Sequence, residues 1–391
     1  AISVALSQGF QALGDQSHFI LALEETGLLN RKIEFLPSKK EIEKRQIEKV
    51  GLTRPELCVM MAYAKMDIYN NLLNSDLLED KYFENELLHY FPKAMQEKFS
   101  AEILNHQLRK EIIATQITNF AVNKTGITFI NQLCKNSGFA LSDVIKNFII
   151  AFDSFELRNL WQQIEDLDGK VDPKLQLEMF TGANKLLERS VMWLLRNQTK
   201  AEISTLVERF KKIANELYSL LPEVLATSSK ESFDRKIKKY TQGNIDKNLA
   251  TKLAAMDAVA ATFEIAEISS NSNFDLKTIA KIYFAVGTRF SLKWLRSRVL
   301  ELEANSYLQK LALKTVLEDF YLYQMKISKA VVLSSCNKTT FCEIDSLESW
   351  IKTVEFLVDR FDGFIEEIKS SPNLDLSIFI VALNRLKPLV S

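Results

Sequence analysis

At 391 residues the chain has room for roughly two or three domains of about 150 residues each, and its 50 Lys+Arg balance 50 Asp+Glu at a pI near 7. That balance excludes the concentrated basic footprint of a nucleic-acid binder; the run Arg235-Lys-Ile-Lys-Lys239 reads as a solvated helix face. The longest unbroken apolar run, Leu57–Ala64, is eight residues, far short of the ~20 that a membrane-spanning helix needs, so neither nucleic acid nor membrane is an expected partner.

Hydrophobic residues make up 47% of the chain, enough for a real core, while Gly (11) and Pro (7) are scarce. Strand-like alternation is hard to find, and the composition predicts an all-α fold, a multi-helix array of antiparallel helix pairs. Residues 3–30 read as one amphipathic helix broken near Gly14-Asp15, followed by a polar segment from Pro37 to Gln46. Thr53 then caps a helix, with Glu56 three residues on to reach back to the cap amide and Pro55 in the first turn. Leu57, Met61, Ala64, Ile68 and Leu72 give that helix one apolar face.

Asp76–Asp80 reads as a turn, and Tyr82–Phe91 as a helix stopped by Pro92. A long helix is expected over 93–124, interrupted near Asn105, and shorter ones over 127–136, 142–153 and 156–167. Asp172-Pro173 marks a clean start for a helix running to Asn197. The next helix, 199–221, is expected to end at Pro222; Thr227–Asn248 reads as a polar connector with one charged helix; further helices follow over 249–268, 275–286, 291–302, 305–333, 346–369 and 373–388.

An internal echo runs through this pattern. Residues 139–167 align without gaps to 274–302, with seven identities in 29 positions, including Phe139/Phe274, Lys146/Lys281, Phe155/Phe290 and Leu157/Leu292. Two related helical modules are the preferred reading, against two similar amphipathic hairpins; two copies are too few for a solenoid. The expected organisation is an N-terminal helix and linker (1–50), a first module (51–226), a polar connector (227–248) and a second module (249–391).

The cysteines at 58, 134, 336 and 342 form no Cys-x-x-Cys pair and, with His18, His89 and His106 far apart, match no zinc spacing. Cys58 and Cys134 read as small core residues, and a reducing cytoplasmic compartment is the default expectation. No Gly-x-Gly-x-x-Gly, phosphate loop, Gly-x-Ser-x-Gly or His-Glu-x-x-His occurs, so no catalytic, cofactor-binding or metal residue is expected here. Asp15/His18 and Glu86/His89 have the spacing that di-iron bundles use twice, but their segments differ in character, and surface or half-buried polar residues are the preferred reading. Gln116, Asn119 and Asn123 form an amide stripe on an otherwise apolar helix. It is either a docking face for another domain or a solvated or internally bonded face.

Gly51-Leu-Thr-Arg-Pro-Glu-Leu57, Ala62-Tyr-Ala-Lys-Met-Asp67, Glu86-Leu-Leu-His-Tyr-Phe-Pro92 and Arg109-Lys-Glu-Ile-Ile-Ala-Thr-Gln116 occur in an order and spacing that resembles the C-terminal region of the large bacterial NAD-specific glutamate dehydrogenases. The likeness continues through Ile164-Glu-Asp-Leu-Asp168, Glu188-Arg189 and Trp193-Leu-Leu-Arg-Asn197, and more weakly through Asp257 and Tyr283-Phe284-Ala285. Gly169 departs from the family's more usual Asn, which loosens that helix end. The resemblance implies a very long polypeptide that oxidises L-glutamate to 2-oxoglutarate and ammonia with NAD, its catalytic residues lying upstream of the region matched. A start at Ala1 without an initiator Met fits a piece of something longer. The expectation is therefore a helical accessory region, inactive alone, packed on an upstream catalytic domain of the same chain in a homo-oligomer. A free-standing helical scaffold is the rival reading, and a helical metalloenzyme a distant third.

Overall fold

Helices joined by turns and loops make up the described residues, and no strand occurs among them. The computed structural model describes residues 2–197, 201–270, 272–304, 306–335 and 343–390, without the side chains of 343–345; Cys336 and Cys342 lie outside these residues. The chain groups into two compact units, Ala1–Asp153 with Val191–Val207, and Ser154–Ser190 with Glu208–Ser391.

The first unit opens with α1 (Ile2–Gln8) and α2 (Leu13–Glu25), then α3 (Lys39–Ile47) and the long α4 (Arg54–Leu73). The single helix expected over 3–30 is broken by a 3-10 turn at Gly9–Ala12 rather than at Gly14, and it ends at Glu25. The cause is a close approach of backbone: a Cβ on Gly51 would sit 2.7 Å from the carbonyl carbon of Gly9. Gly9 takes a φ of +53° there, a conformation that Gly enters without steric cost.

At the start of α4 the Glu56 carboxylate accepts from the Thr53 amide at 2.7 Å and from Arg45 at 2.8 and 2.9 Å. The α4 core face is Leu57, Met60, Ala64, Ile68 and Leu72, with Met60 in the place expected for Met61. Cys58, about 100° round the helix from Leu57, is exposed rather than in the core.

Short pieces follow: 3-10 turns at Asp76–Glu79 and Lys81–Phe83, then α5 (Glu84–Tyr90), α6 (Lys93–Lys98) and α7 (Ser100–Leu104). The long helix expected over 93–124 is thus three helices, the last being α8 (Arg109–Thr125). Phe99 and Leu108 leave the helical region at the two breaks, with ψ of 31° and 28°. Next come α9 (Phe129–Ser137) and α10 (Leu141–Ser154). α4 and α5 pack on α8, and Phe120 of α8 meets Phe152 of α10 edge to face at 4.5 Å between centroids.

The chain continues through α11 (Leu157–Glu165), α12 (Pro173–Asn197) and α13 (Ile203–Val224). α13 runs past Pro222, where the sequence predicts its end; burial of Leu221 and Val224 on either side holds the last turn against the lost amide.

Thr227–Gln242, in the stretch expected as a connector, is α14; it packs along α15 (Lys247–Val259) and buries Phe233 and Tyr240. The second unit is completed by α16 (Thr262–Ser269), α17 (Leu276–Arg289), α18 (Leu292–Glu301), α19 (Tyr307–Ser335), α20 (Glu343–Thr353), α21 (Glu355–Ser370) and α22 (Leu376–Leu386). α17 and α19 are its centre: each packs on the other and on α16, α18 and α20.

Within the second unit Phe155 meets Phe263 edge to face at 5.6 Å and Arg189 pairs with Glu264, which ties the start of α11 and the first part of α12 to later helices. The echo at an offset of 135 has a backbone counterpart. Glu156 and Ser291 both take a left-handed φ of 51°, each between a buried Phe and a buried Leu. That conformation costs an L-residue roughly 1–2 kcal/mol, offset by burial of the flanking side chains at about 1.5–3 kcal/mol each.

Candidate functional site

The amide stripe lies on α8. Gln116 and Asn119 are half-buried, Asn123 is exposed, and none of the three makes a side-chain hydrogen bond among the described residues. The buried polar side chains of α8 are instead Thr118 and Thr125; Thr125 donates to the Ala121 carbonyl at 2.8 Å, and the Thr118 hydroxyl has no partner. The structure therefore leaves the stripe's amide groups free to bond outward and uses the opposite face of α8 for the core.

Asp15 and His18 lie on α2, and Glu86 and His89 on α5. Among the described residues no three His, Cys, Asp or Glu side chains are grouped as ligands of one ion.

The densest polar constellation lies in the second unit and was not anticipated. Arg189 of α12 donates from Nη2 to Glu264 Oε1 of α16 at 2.7 Å and to the Tyr283 hydroxyl of α17 at 3.3 Å. Its guanidinium lies 3.7 Å from the ring centre of Tyr321 on α19, and that of Arg296 on α18 lies 4.3 Å from the same ring. Arg296 donates to Gln324 Oε1 at 2.8 Å, and Gln324 Nε2 donates to the Tyr283 carbonyl at 2.9 Å. The amide head of Gln324 fits only because position 287 is Gly: a Cβ there would lie 2.6 Å from Nε2.

Burial works against the Arg189 charge, but Glu264 outweighs it and raises the guanidinium above its ordinary value; burial lowers Arg296 and raises the Tyr283 phenol. Five helices thus share one hydrogen-bonded, cation–π network. Its contacts join helix to helix, while Arg189 Nε and Glu264 Oε2 are buried without a hydrogen-bond partner among the described residues. The sequence signal for the network was Glu264, the one charged residue in the largely apolar stretch Val259–Ala266, since a buried carboxylate needs a cation.

An all-helical region whose concentrated polar groups join helix to helix is the class of protein that fold and site define. The family described as "Glutamate dehydrogenase, C-terminal" matches residues 49–388, and the chain belongs to it. Proteins named NAD-specific glutamate dehydrogenase are similar to it along most or all of its length. The one from Halomonas elongata is 28% identical over 99% of this chain and 24% of its own length. That from Pseudomonas aeruginosa is 29% identical over 100% of this chain and 24% of its own length. That from Mycobacterium tuberculosis is 24% identical over 92% and 22%. The chain therefore spans about a quarter of the length of the curated relatives it matches. No helix among the described residues is long and apolar enough to cross a membrane.

Proposed function

We propose that this chain is the non-catalytic, C-terminal helical region of an NAD-specific glutamate dehydrogenase. The reaction is L-glutamate, NAD+ and water to 2-oxoglutarate, ammonia and NADH, a step of amino-acid catabolism in the cytoplasm. The observation that carries this reading is the match of nearly the whole chain to about a quarter of relatives bearing that name. NAD and the substrate belong to a catalytic domain upstream in the same polypeptide. The helical region packs on that core and supports assembly of a homo-oligomer or its regulation. Gln116, Asn119 and Asn123 supply an inter-domain contact, since unpaired amides on a half-buried face bond well to a partner's backbone.

Two measurements test this. The chain alone, mixed with glutamate and NAD, forms no NADH; steady turnover overturns the non-catalytic assignment. In the full-length protein, Asn119→Asp with Asn123→Asp weakens assembly by sedimentation while the helical circular dichroism is kept. Unchanged assembly retires the stripe as a contact.

A further inference from the structure

We propose that Ile33, Phe35, Ile47 and Val50 form a docking face for the polypeptide region that precedes this chain in the longer enzyme. The proposal rests on the reading above and adds to it the surface that meets the upstream region.

The segment between α2 and α4 turns three of its charged groups inward, while its other charged residues, Lys32, Glu48 and Lys49 among them, stay exposed. Arg31 is buried, donating to Glu24 at 2.8 and 3.1 Å and to the Pro37 carbonyl at 2.9 Å; Glu34 accepts from the Tyr63 hydroxyl at 2.7 Å; Arg45 pairs with Glu56. Leu29, Leu36, Ile42 and Leu52 are buried, but four other large apolar side chains point outward: Ile33 is 68% exposed, Phe35 90%, Ile47 83% and Val50 49%. Phe35 also holds a left-handed φ of 52°, which a bulky residue rarely adopts.

These side chains occupy one region. Glu56 and Tyr63 are seven residues apart on α4, two helical turns along the same face and about 10 Å in rise. Glu34 and Arg45 are anchored to those two residues, so the turn at 31–36 and the end of α3 lie side by side along α4. An apolar group of this kind on an otherwise charged surface marks an interaction site.

Sequence position identifies the occupant. The C-terminal family begins at residue 49, while the likeness to the Pseudomonas relative covers the whole chain, residues ahead of 49 included. The apolar group thus lies at the boundary between that family and the part of the longer enzyme that precedes it. A region joined to it by a few tens of residues is present at an effective concentration in the millimolar range, which favours it over a second copy.

The test is photocrosslinking in the full-length polypeptide with p-benzoylphenylalanine at position 35 or 47, in a mixture of light- and heavy-isotope protein. Both positions are exposed, so the probe leaves the fold intact. The expected products join position 35 or 47 to peptides upstream of Ala1 in the same isotope form. Ile33→Asp with Val50→Asp then lowers their yield at least tenfold. Light–heavy products make the face a contact between copies and overturn the proposal, as do products confined to residues 1–391 or no products at all. The mass of the native polypeptide separates this failure from failure of the underlying reading. A native chain near 44.8 kDa removes the upstream region altogether, whereas a chain about four times larger with an uncrosslinked face removes only the docking.

Discussion

Arg189 Nη2 lies 2.7 Å from Glu264 Oε1, and Glu264 is only 2% exposed. Removing one partner of such a pair leaves the other charge uncompensated, at about 3–5 kcal/mol. Glu264→Ala is expected to lose stability in that range, and Glu264→Gln, which keeps a hydrogen-bond acceptor, less. Urea unfolding of the two variants beside the parent measures both; equal, sub-kcal losses would deny the network its cohesive role.

The backbone approach of Gly51 to Gly9 leaves no space for a methyl group. Gly51→Ala places a Cβ 2.7–2.9 Å from backbone atoms of Gly9, which cannot rotate away as a side chain would. Overpacking of this kind costs about 1–3 kcal/mol. A lowered thermal midpoint is expected, while Gly363→Ala, where a Cβ meets nothing within 4 Å, leaves the midpoint the same or raises it.

Acid weakens the start of α4. Burial pushes the Glu56 carboxyl up, but the Arg45 guanidinium and the Thr53 amide outweigh it and hold it below its usual 4.5. A carboxyl lowered on folding contributes stability that is complete above its unfolded value and lost as pH falls through the folded one. The Arg45–Glu56 contribution is therefore present at pH 6 and declines below about 4.5. Arg45→Met is expected to reduce the difference in urea midpoint between pH 6 and pH 3. An undiminished difference would mean that the pair does not titrate with folding.

The two described cysteines are chemically unequal. Burial pushes the Cys134 thiol up to about 12, with the charge of Asp67 adding to the effect, whereas Cys58 is exposed. Since the thiolate is the reactive form, iodoacetamide at pH 8 is expected to alkylate Cys58 at least ten times faster than Cys134. Peptide mass spectrometry at timed intervals reads the ratio; comparable rates would mean that the partial burial of Cys134 does not protect its thiol.

Helices were legible wherever one local rule decided them. Thr53-x-x-Glu56 and Asp172-Pro173 announced their helices because capping and proline geometry act within a single turn. Breaks decided by distant contacts were not legible: nothing near Gly9 in sequence reveals that Gly51 lies against it. Met60 took the place of Met61 because a helical face is wide enough for either, and the neighbouring helices choose. The Gln116–Asn123 stripe was visible from spacing alone. The Arg189 network required five helices to converge, and only the solitary Glu264 hinted at it.

The division into units has a consequence for synthesis. The polypeptide passes from one unit to the other three times, at 153/154, 190/191 and 207/208. A nascent chain emerging from the ribosome thus cannot complete its first unit until Val207 is clear of the exit tunnel, and by then Ser154–Ser190 is already outside, awaiting helices not yet made. Arg189 spends that interval without Glu264. A chaperone that covers this stretch, or a pause in translation timed to when Val207 has just cleared the tunnel, would have its largest effect on the yield of folded protein there.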